Sequence, residues 1–225
     1  MNSKAAKIVL TVMLLIGVEQ LASPHIHHIH ASTVILNVGA SGQQVSMLQA
    51  DLQQLGYYTY PTITGYYGSI TQTAVARFQA DYLLRADGIA GPFTLDAIHH
   101  SLVKQQLVRE TYSYTGTPYV WGGSSPSTGF DCSGFVYFMF TTFGIPQART
   151  TSANLYTQGI AINKSLLRPG DLVFFKSINT GMINHVGFYI GNGSFISAIS
   201  SKGIYVQPLD NSYWGPRYAG ARRLY

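Results

Sequence analysis

Cysteine is nearly absent from this chain: Cys132 stands alone among 225 residues, so no internal disulfide can staple the fold. Charge is scarce as well. Asp, Glu, Lys and Arg supply 10% of the residues against 46% apolar ones, which excludes a disordered polymer and leaves enough apolar surface for real cores. The net charge is only +5, and the basic residues are scattered apart from the Arg222-Arg223 pair. Without a basic stripe to follow a phosphate backbone, nucleic acid is excluded as a partner. The mild excess suits an anionic polymer or plain solubility. A membrane-spanning run is missing too. Ile8 to Val18 is uncharged but has 11 residues, too few for a bilayer core of ~30 Å. With Lys4 and Lys7 before it and Ala22-Ser23 after it, the run reads as a secretory signal peptide over residues 1–22. No stable membrane anchor is expected, because Cys132 lies too far downstream to carry a lipid.

What is plentiful is tyrosine (16) and glycine (23), a composition of strands, tight turns and polar grooves. Residues 23–33 hold His25, His27, His28 and His30; with no carboxylate or cysteine nearby to complete a metal shell, they read as a solvated linker. An internal repeat follows. Gly65-x-x-Gly68-x-x-Thr71-x-x-Ala74 returns 23 residues later as Gly88-x-x-Gly91-x-x-Thr94-x-x-Ala97, with glycines for turns and threonines placed to cap helices. Val45, Leu48, Leu52 and Leu55 keep helical spacing up to Gly56. The expectation is a small three-helix domain over residues 34–100. Leu48-Gln49, Leu55-Gly56-Tyr57, Phe78-Gln79 and Asp87-Gly88-Ile89-x-Gly91-Pro92-x-Thr94 resemble the peptidoglycan-binding domain of wall hydrolases, which implies peptidoglycan as the partner. Residues 101–112 read as a connecting helix, and a second domain, taken over residues 101–225, changes texture from Thr115 onward.

In that second domain Gly129-Phe130-Asp131-Cys132-Ser133-Gly134 leads into Phe135, Val136, Phe138, Met139, Phe140 and Phe143, an apolar helix fit for the centre of a fold. Cys132 at its first turn is either a buried small hydrophobe or a reactive thiol. Free N–H groups and the helix dipole there lower a thiol pKa and can hold an oxyanion. A thiolate needs a base. His185 opens the alternating stretch His185-Val186-Gly187-Phe188-Tyr189-Ile190, which turns at Asn192-Gly193 and returns as Phe195-Ile196-Ser197-Ala198. A three-residue loop with Gly193 as a bulge opposes Val186 to Ala198 and Phe188 to Ile196. That register makes one face wholly apolar and puts His185 and Ser197 diagonally together on the other. His99 and His100 are rival bases, read as surface residues.

Four ordered motifs now resemble a family: Gly116-Thr117-Pro118-Tyr119-Val120-Trp121-Gly122-Gly123, Asp131-Cys132-Ser133-Gly134, Arg168 to Phe175, and His185-Val186-Gly187. They are similar to the NlpC-type cell-wall peptidases, papain-like cysteine peptidases of α+β class with a central helix on an antiparallel sheet. The resemblance implies Cys132 as nucleophile, His185 as base and Tyr119 as the phenol against the cysteine. It also implies Asp131, Ser133 and Trp121 at the substrate end. Arg149-Thr150 matches too and reads as structural, as do the turn and core strand of Arg168 to Phe175. Ser197 departs from the family, which puts His, Asn or Gln at the position that orients the base. A short serine can accept the bond from the base directly or through one water, and a longer acceptor should serve better. The implied reaction is cysteine endopeptidase cleavage of stem peptides, between γ-D-glutamyl and a diamino acid, by a secreted, wall-associated monomer without cofactor or metal. Two rivals stay open: a wall-binding protein with an inactive second domain, and an acyl or amide transferase using the same thiolate.

Overall fold

A computed structural model describes residues 34–224; the signal-peptide and histidine-linker expectations lie outside the described residues. Three helices come first: α1 (Gln43–Gln54), α2 (Ser69–Asp81) and α3 (Pro92–Thr111). They close on Val45, Leu48, Leu52, Val75, Phe78 and Ile98, all at most 2% exposed. The helical spacing of these residues puts them on single stripes, and burying the stripes holds the unit together.

The repeat has a physical basis that sequence spacing did not reveal. Gln49 is fully buried; its Oε1 accepts from Gly65 N at 3.0 Å, and its Nε2 donates to Tyr66 O at 3.0 Å and Thr71 Oγ1 at 2.9 Å. Gln79 does the same for the second turn, with Gly88 N, Ile89 O and Thr94 Oγ1. Each glutamine thus satisfies a turn whose glycine sits at φ +66° or +69°. The threonines are therefore not caps. Gly68 and Gly91 occupy the N-cap positions, and Thr71 and Thr94 lie inside the helices as partners of the glutamines.

No break separates α3 from a connecting helix. Its first half carries Leu95, Ile98 and Leu102 into the three-helix core, and its second half carries Val103 and Leu107 into the core of the second domain. One continuous helix of 20 residues therefore crosses the boundary expected between residues 100 and 101.

The second domain runs β1 (Ser124–Ser125), β2 (Gly129–Phe130), α4 (Cys132–Thr142), α5 (Ser152–Tyr156), β3 (Ile160–Ile162), β4 (Leu172–Lys176), β5 (Ile183–Gly191), β6 (Ser194–Ile199), β7 (Gly203–Pro208) and β8 (Tyr218–Arg223). The last six form one antiparallel sheet in the order β3-β8-β4-β5-β6-β7. One face receives α4, and Phe135, Val136, Met139 and Phe140 pack with Val186, Phe188, Ile196 and Ala198. The opposite face carries Val173, Phe175, Phe195 and Trp214. Period-two alternation in the strands produces both cores. This is the α+β arrangement of a central helix on an antiparallel sheet.

The hairpin keeps the expected register by another route. Phe188 pairs with Ile196, but the loop has two residues, closing Gly191 on Ser194. Asn192 and Gly193, at φ 50° and 66°, make a tight turn whose twist matches the strands. The extra residue is absorbed inside β5, between Tyr189 and Gly191, as a bulge. The register at His185 is unchanged.

The Arg222-Arg223 pair divides its work. Arg223 binds Asp171, which is fully buried, through Nε at 2.8 Å and Nη2 at 2.9 Å. Arg222 lies over the Tyr156 ring. Among the described residues no helix is long and apolar enough to cross a membrane, and no cluster of metal-binding side chains is present.

Candidate active site

Cys132 is the first residue of α4, and Asp131 is the N-cap. Its Oδ1 accepts from Gly134 N at 2.6 Å and Ser133 Oγ at 3.1 Å. Its Oδ2 accepts from Gly122 N at 2.9 Å and pairs with Arg149 at 2.6 Å. Arg149 also donates to Ser133 Oγ at 2.8 Å. Arg149, whose sequence cue is the family stretch Arg149-Thr150, is the partly exposed charge that closes this network, which accords with a structural role. The Gly-Gly loop docks directly on the helix start. A Cβ at Gly134 would lie 1.9 Å from the Gly123 carbonyl oxygen. Gly134→Ala is therefore expected to destabilise the fold by about 2–3 kcal/mol, read as a lower denaturant midpoint; an unchanged midpoint would show that the loop can move away.

The cysteine's neighbours are N–H groups. Those of Val186, Ser133 and Cys132 act on its sulfur and favour the thiolate, yet burial outweighs them and pushes the thiol up to about 11. This reverses the expectation of a lowered pKa: the dipole and N–H groups are present, but Cys132 is only 9% exposed and desolvation is the larger effect. Tyr119 is held beside it by a bridge to Phe130. Burial, then Cys132 and Asp131, raise its phenol, so it stays a neutral donor.

His185 stands opposite Phe175 in the sheet ladder. Its ring stacks on Trp214, centroids 4.6 Å apart at 21°, and its Nε2 lies 2.9 Å from Ser197 Oγ. Both His185 and Ser197 are buried, Ser197 completely, and of the two expected routes their contact is the direct one. Among the described residues no hydrogen bond joins the His185 ring to Cys132, although Val186, the next residue, presents its N–H to the sulfur. Trp214 went unnoticed at the sequence level; its one cue was a Trp in a Tyr213-Trp214-Gly215-Pro216 loop. Trp121 is 87% exposed, on the turn after Tyr119. His99 and His100 are half-buried on α3, with His100 3.5 Å from Asp96.

Burial holds the His185 imidazole down at about 3. The fold keeps it neutral where the unfolded chain, near 6.5, takes up a proton. Stability from this neutral ring is fully present above about pH 6.5 and is lost as pH falls towards about 3. Denaturant midpoints between about pH 7 and pH 4 should fall more steeply for the wild type than for His185→Gln; parallel curves would contradict this.

Known proteins match these two parts of the chain separately. Residues 116–223 match the model of the NlpC/P60 family, and residues 41–98 match the family described as "Putative peptidoglycan binding domain". Murein DD-endopeptidase MepH of Escherichia coli is 44% identical over 112 residues, 48% of this chain and 41% of that one. Gamma-DL-glutamyl hydrolase of Bacillus subtilis is 38% identical over 119 residues, 52% of this chain and 29% of that one. The chain thus spans less than half the length of either relative. The crystal structure of an NlpC/P60 family protein from Bacillus cereus superposes with a TM-score of 0.51 at 35% identity, covering 54% of this chain and 40% of that one. Residues 116–223, with the helix-capped cysteine and the six-stranded sheet, carry a domain of the NlpC/P60 family, preceded by a helical unit that matches the peptidoglycan-binding domain.

Proposed function

We propose that the chain is a secreted, wall-associated peptidoglycan hydrolase, a cysteine endopeptidase that cuts stem peptides between γ-D-glutamyl and a diamino acid. The observation that carries this reading is the direct 2.9 Å contact of His185 Nε2 with Ser197 Oγ on the strand whose next N–H meets Cys132. If Nε2–H donates to Ser197, Nδ1 is left as the bare base. Since thiol and imidazole are each neutral at pH 7, the nucleophile forms as the proton passes from Cys132 Sγ to His185 Nδ1. The sulfur attacks the peptide carbonyl, and the N–H groups at the start of α4 with the Tyr119 hydroxyl receive the oxyanion. His185 returns the proton to the leaving amine as the C–N bond breaks. Water, deprotonated by His185, then opens the thioester and regenerates the thiol. Asp131, Ser133 and Arg149 wall the acyl side, and Trp121 at the mouth meets the substrate from solvent. The three-helix unit holds the enzyme on its polymer.

The test is digestion of purified peptidoglycan with the full chain, followed by product masses. Fragments ending in D-glutamate with a new amine on the diamino acid are expected. Release at the D-alanyl cross-link instead would move the reading to a DD-endopeptidase, and binding without release would reduce it to a wall-binding protein.

Ser197 gives a sharper outcome. Because it is fully buried and already in contact, a larger acceptor has no room: a Cβ at neighbouring Gly187 would itself come within 2.9 Å of Ser197 Cβ. Ser197→His should therefore slow turnover rather than raise it. Ser197→Ala should lower kcat by about tenfold to a hundredfold, about 1.4–2.8 kcal/mol, less than loss of nucleophile or base. Cleavage rates of the three proteins decide, and a faster Ser197→His would restore the longer-acceptor expectation.

A further inference from the structure

Beside His185 opens a cavity of about 420 Å³ to which Asn184, Ser200, Gln207, Tyr213, Trp214 and Arg217 contribute. Tyr119, which stands beside Cys132, lines it too, whereas none of Asp131, Ser133 and Arg149 does, so the cavity adjoins the cysteine and extends away from the Asp131 network. Its far wall is a braced segment. Asn211 Oδ1 accepts from Tyr213 N at 2.9 Å and Trp214 N at 2.7 Å. Trp214 donates Nε1–H to Gln207 at 2.6 Å while stacking on His185. The Arg217 guanidinium lies 3.7 Å from the Tyr213 ring centroid and donates to the Tyr213 carbonyl. An arginine has five donors, so most remain for a ligand, and stacking sets their plane in advance. No aspartate or glutamate stands among the described residues lining the cavity. Its only fixed charge is the one on Arg217, since burial keeps His185 neutral.

We propose that this cavity receives the residue departing as the amine, and that Arg217 selects substrates in which that residue carries a free carboxylate. The proposal rests on the peptidase reading: the base that protonates the leaving amine must have the amine-bearing residue next to it, and this is the cavity next to the base. A planar fork with spare donors pairs with a carboxylate in two parallel bonds, which a carboxamide cannot reproduce. The carboxylate has two chemical sources. It is either the second, side-chain carboxylate of a diamino diacid or the terminal carboxylate of a stem trimmed to end at that residue.

Two substrate pairs separate the sources. The first is L-Ala-γ-D-Glu-X-D-Ala with X as 2,6-diaminopimelate or its side-chain carboxamide. The second is L-Ala-γ-D-Glu-L-Lys with a terminal carboxylate or carboxamide. The full-length wild type should favour the acid in one pair by about tenfold or more in kcat/KM, carried mainly in KM. Arg217→Gln should erase that preference by weakening the acid alone, and Arg217→Lys should restore part of it. Equal rates within both pairs, or an Arg217→Gln loss shared by acid and amide, would overturn the proposal. Calorimetric binding of free 2,6-diaminopimelate and L-lysine, each against its carboxamide, reads the cavity without turnover. Arg217-dependent binding of the acid with no cleavage of any substrate would leave the cavity standing and remove the peptidase. Cleavage with no acid preference in rates or binding would remove the cavity's role and leave the peptidase.

Discussion

Cys132→Ala is expected to lower stem-peptide release by at least about a thousandfold while the fold survives. The chain has no second thiol, and no neighbouring serine can replace it: Ser133 Oγ is held between Asp131 and Arg149. The structural cost is small because only one sulfur leaves a site that is already 9% exposed, about 1 kcal/mol of lost packing. A thermal midpoint close to the wild type together with absent product would satisfy both halves. Release of stem fragments at the wild-type rate by a folded Cys132→Ala protein would mean that the nucleophile is elsewhere.

The largest loss of stability is expected from Arg223→Met. Asp171 is 0% exposed and its carboxylate is held by Nε and Nη2 of Arg223 and by the backbone N–H of Arg168. Removing the guanidinium leaves a buried carboxylate short of its main partner, at a cost of about 3–5 kcal/mol. Lys104 bears on the outcome. It comes across from α3, burial brings it down to about 8, and the charge of Asp171 works against that fall. At neutral pH it stays mostly protonated and offsets part of the loss. Asp171→Asn added to Arg223→Met should recover a share of the stability, because no unpaired charge then remains. Denaturant midpoints of the wild type, both single variants and the double variant form the cycle. Additive single effects would show that the two side chains do not stabilise one another.

This pair also marks the limit of local reading. Arg222-Arg223 was visible as the one basic cluster, and Asp171 as part of a turn before a core strand. Nothing in their spacing of 52 residues couples them. The coupling arises because β8 lies beside β4 in the sheet, an order decided by chain crossings rather than by neighbours in sequence.

Other parts were legible because their causes are local. An Asp before Cys132 and an apolar run after it specify a capped, buried helix, since capping and periodicity act within a few residues. The Asn192-Gly193 turn and the alternation around it were enough to bring His185 and Ser197 to one face. The placing of the extra residue was missed, because a two-residue turn and an internal bulge leave the same pairing farther along the strand. In the first domain Gln49 and Gln79 stood in the motifs, but their function as the polar centres of two turns depends on burial. What only the tertiary structure decided follows from the same physics. Trp214 reaches His185 across the sheet, α3 joins two cores as one helix, and desolvation at Cys132 outweighs the dipole that the sequence supplies. Sequence carries the short-range terms of helix, turn and alternation. Stacking partners, buried ion pairs and the balance of desolvation against N–H donors depend on which surfaces finally exclude water, and only the packed chain determines that.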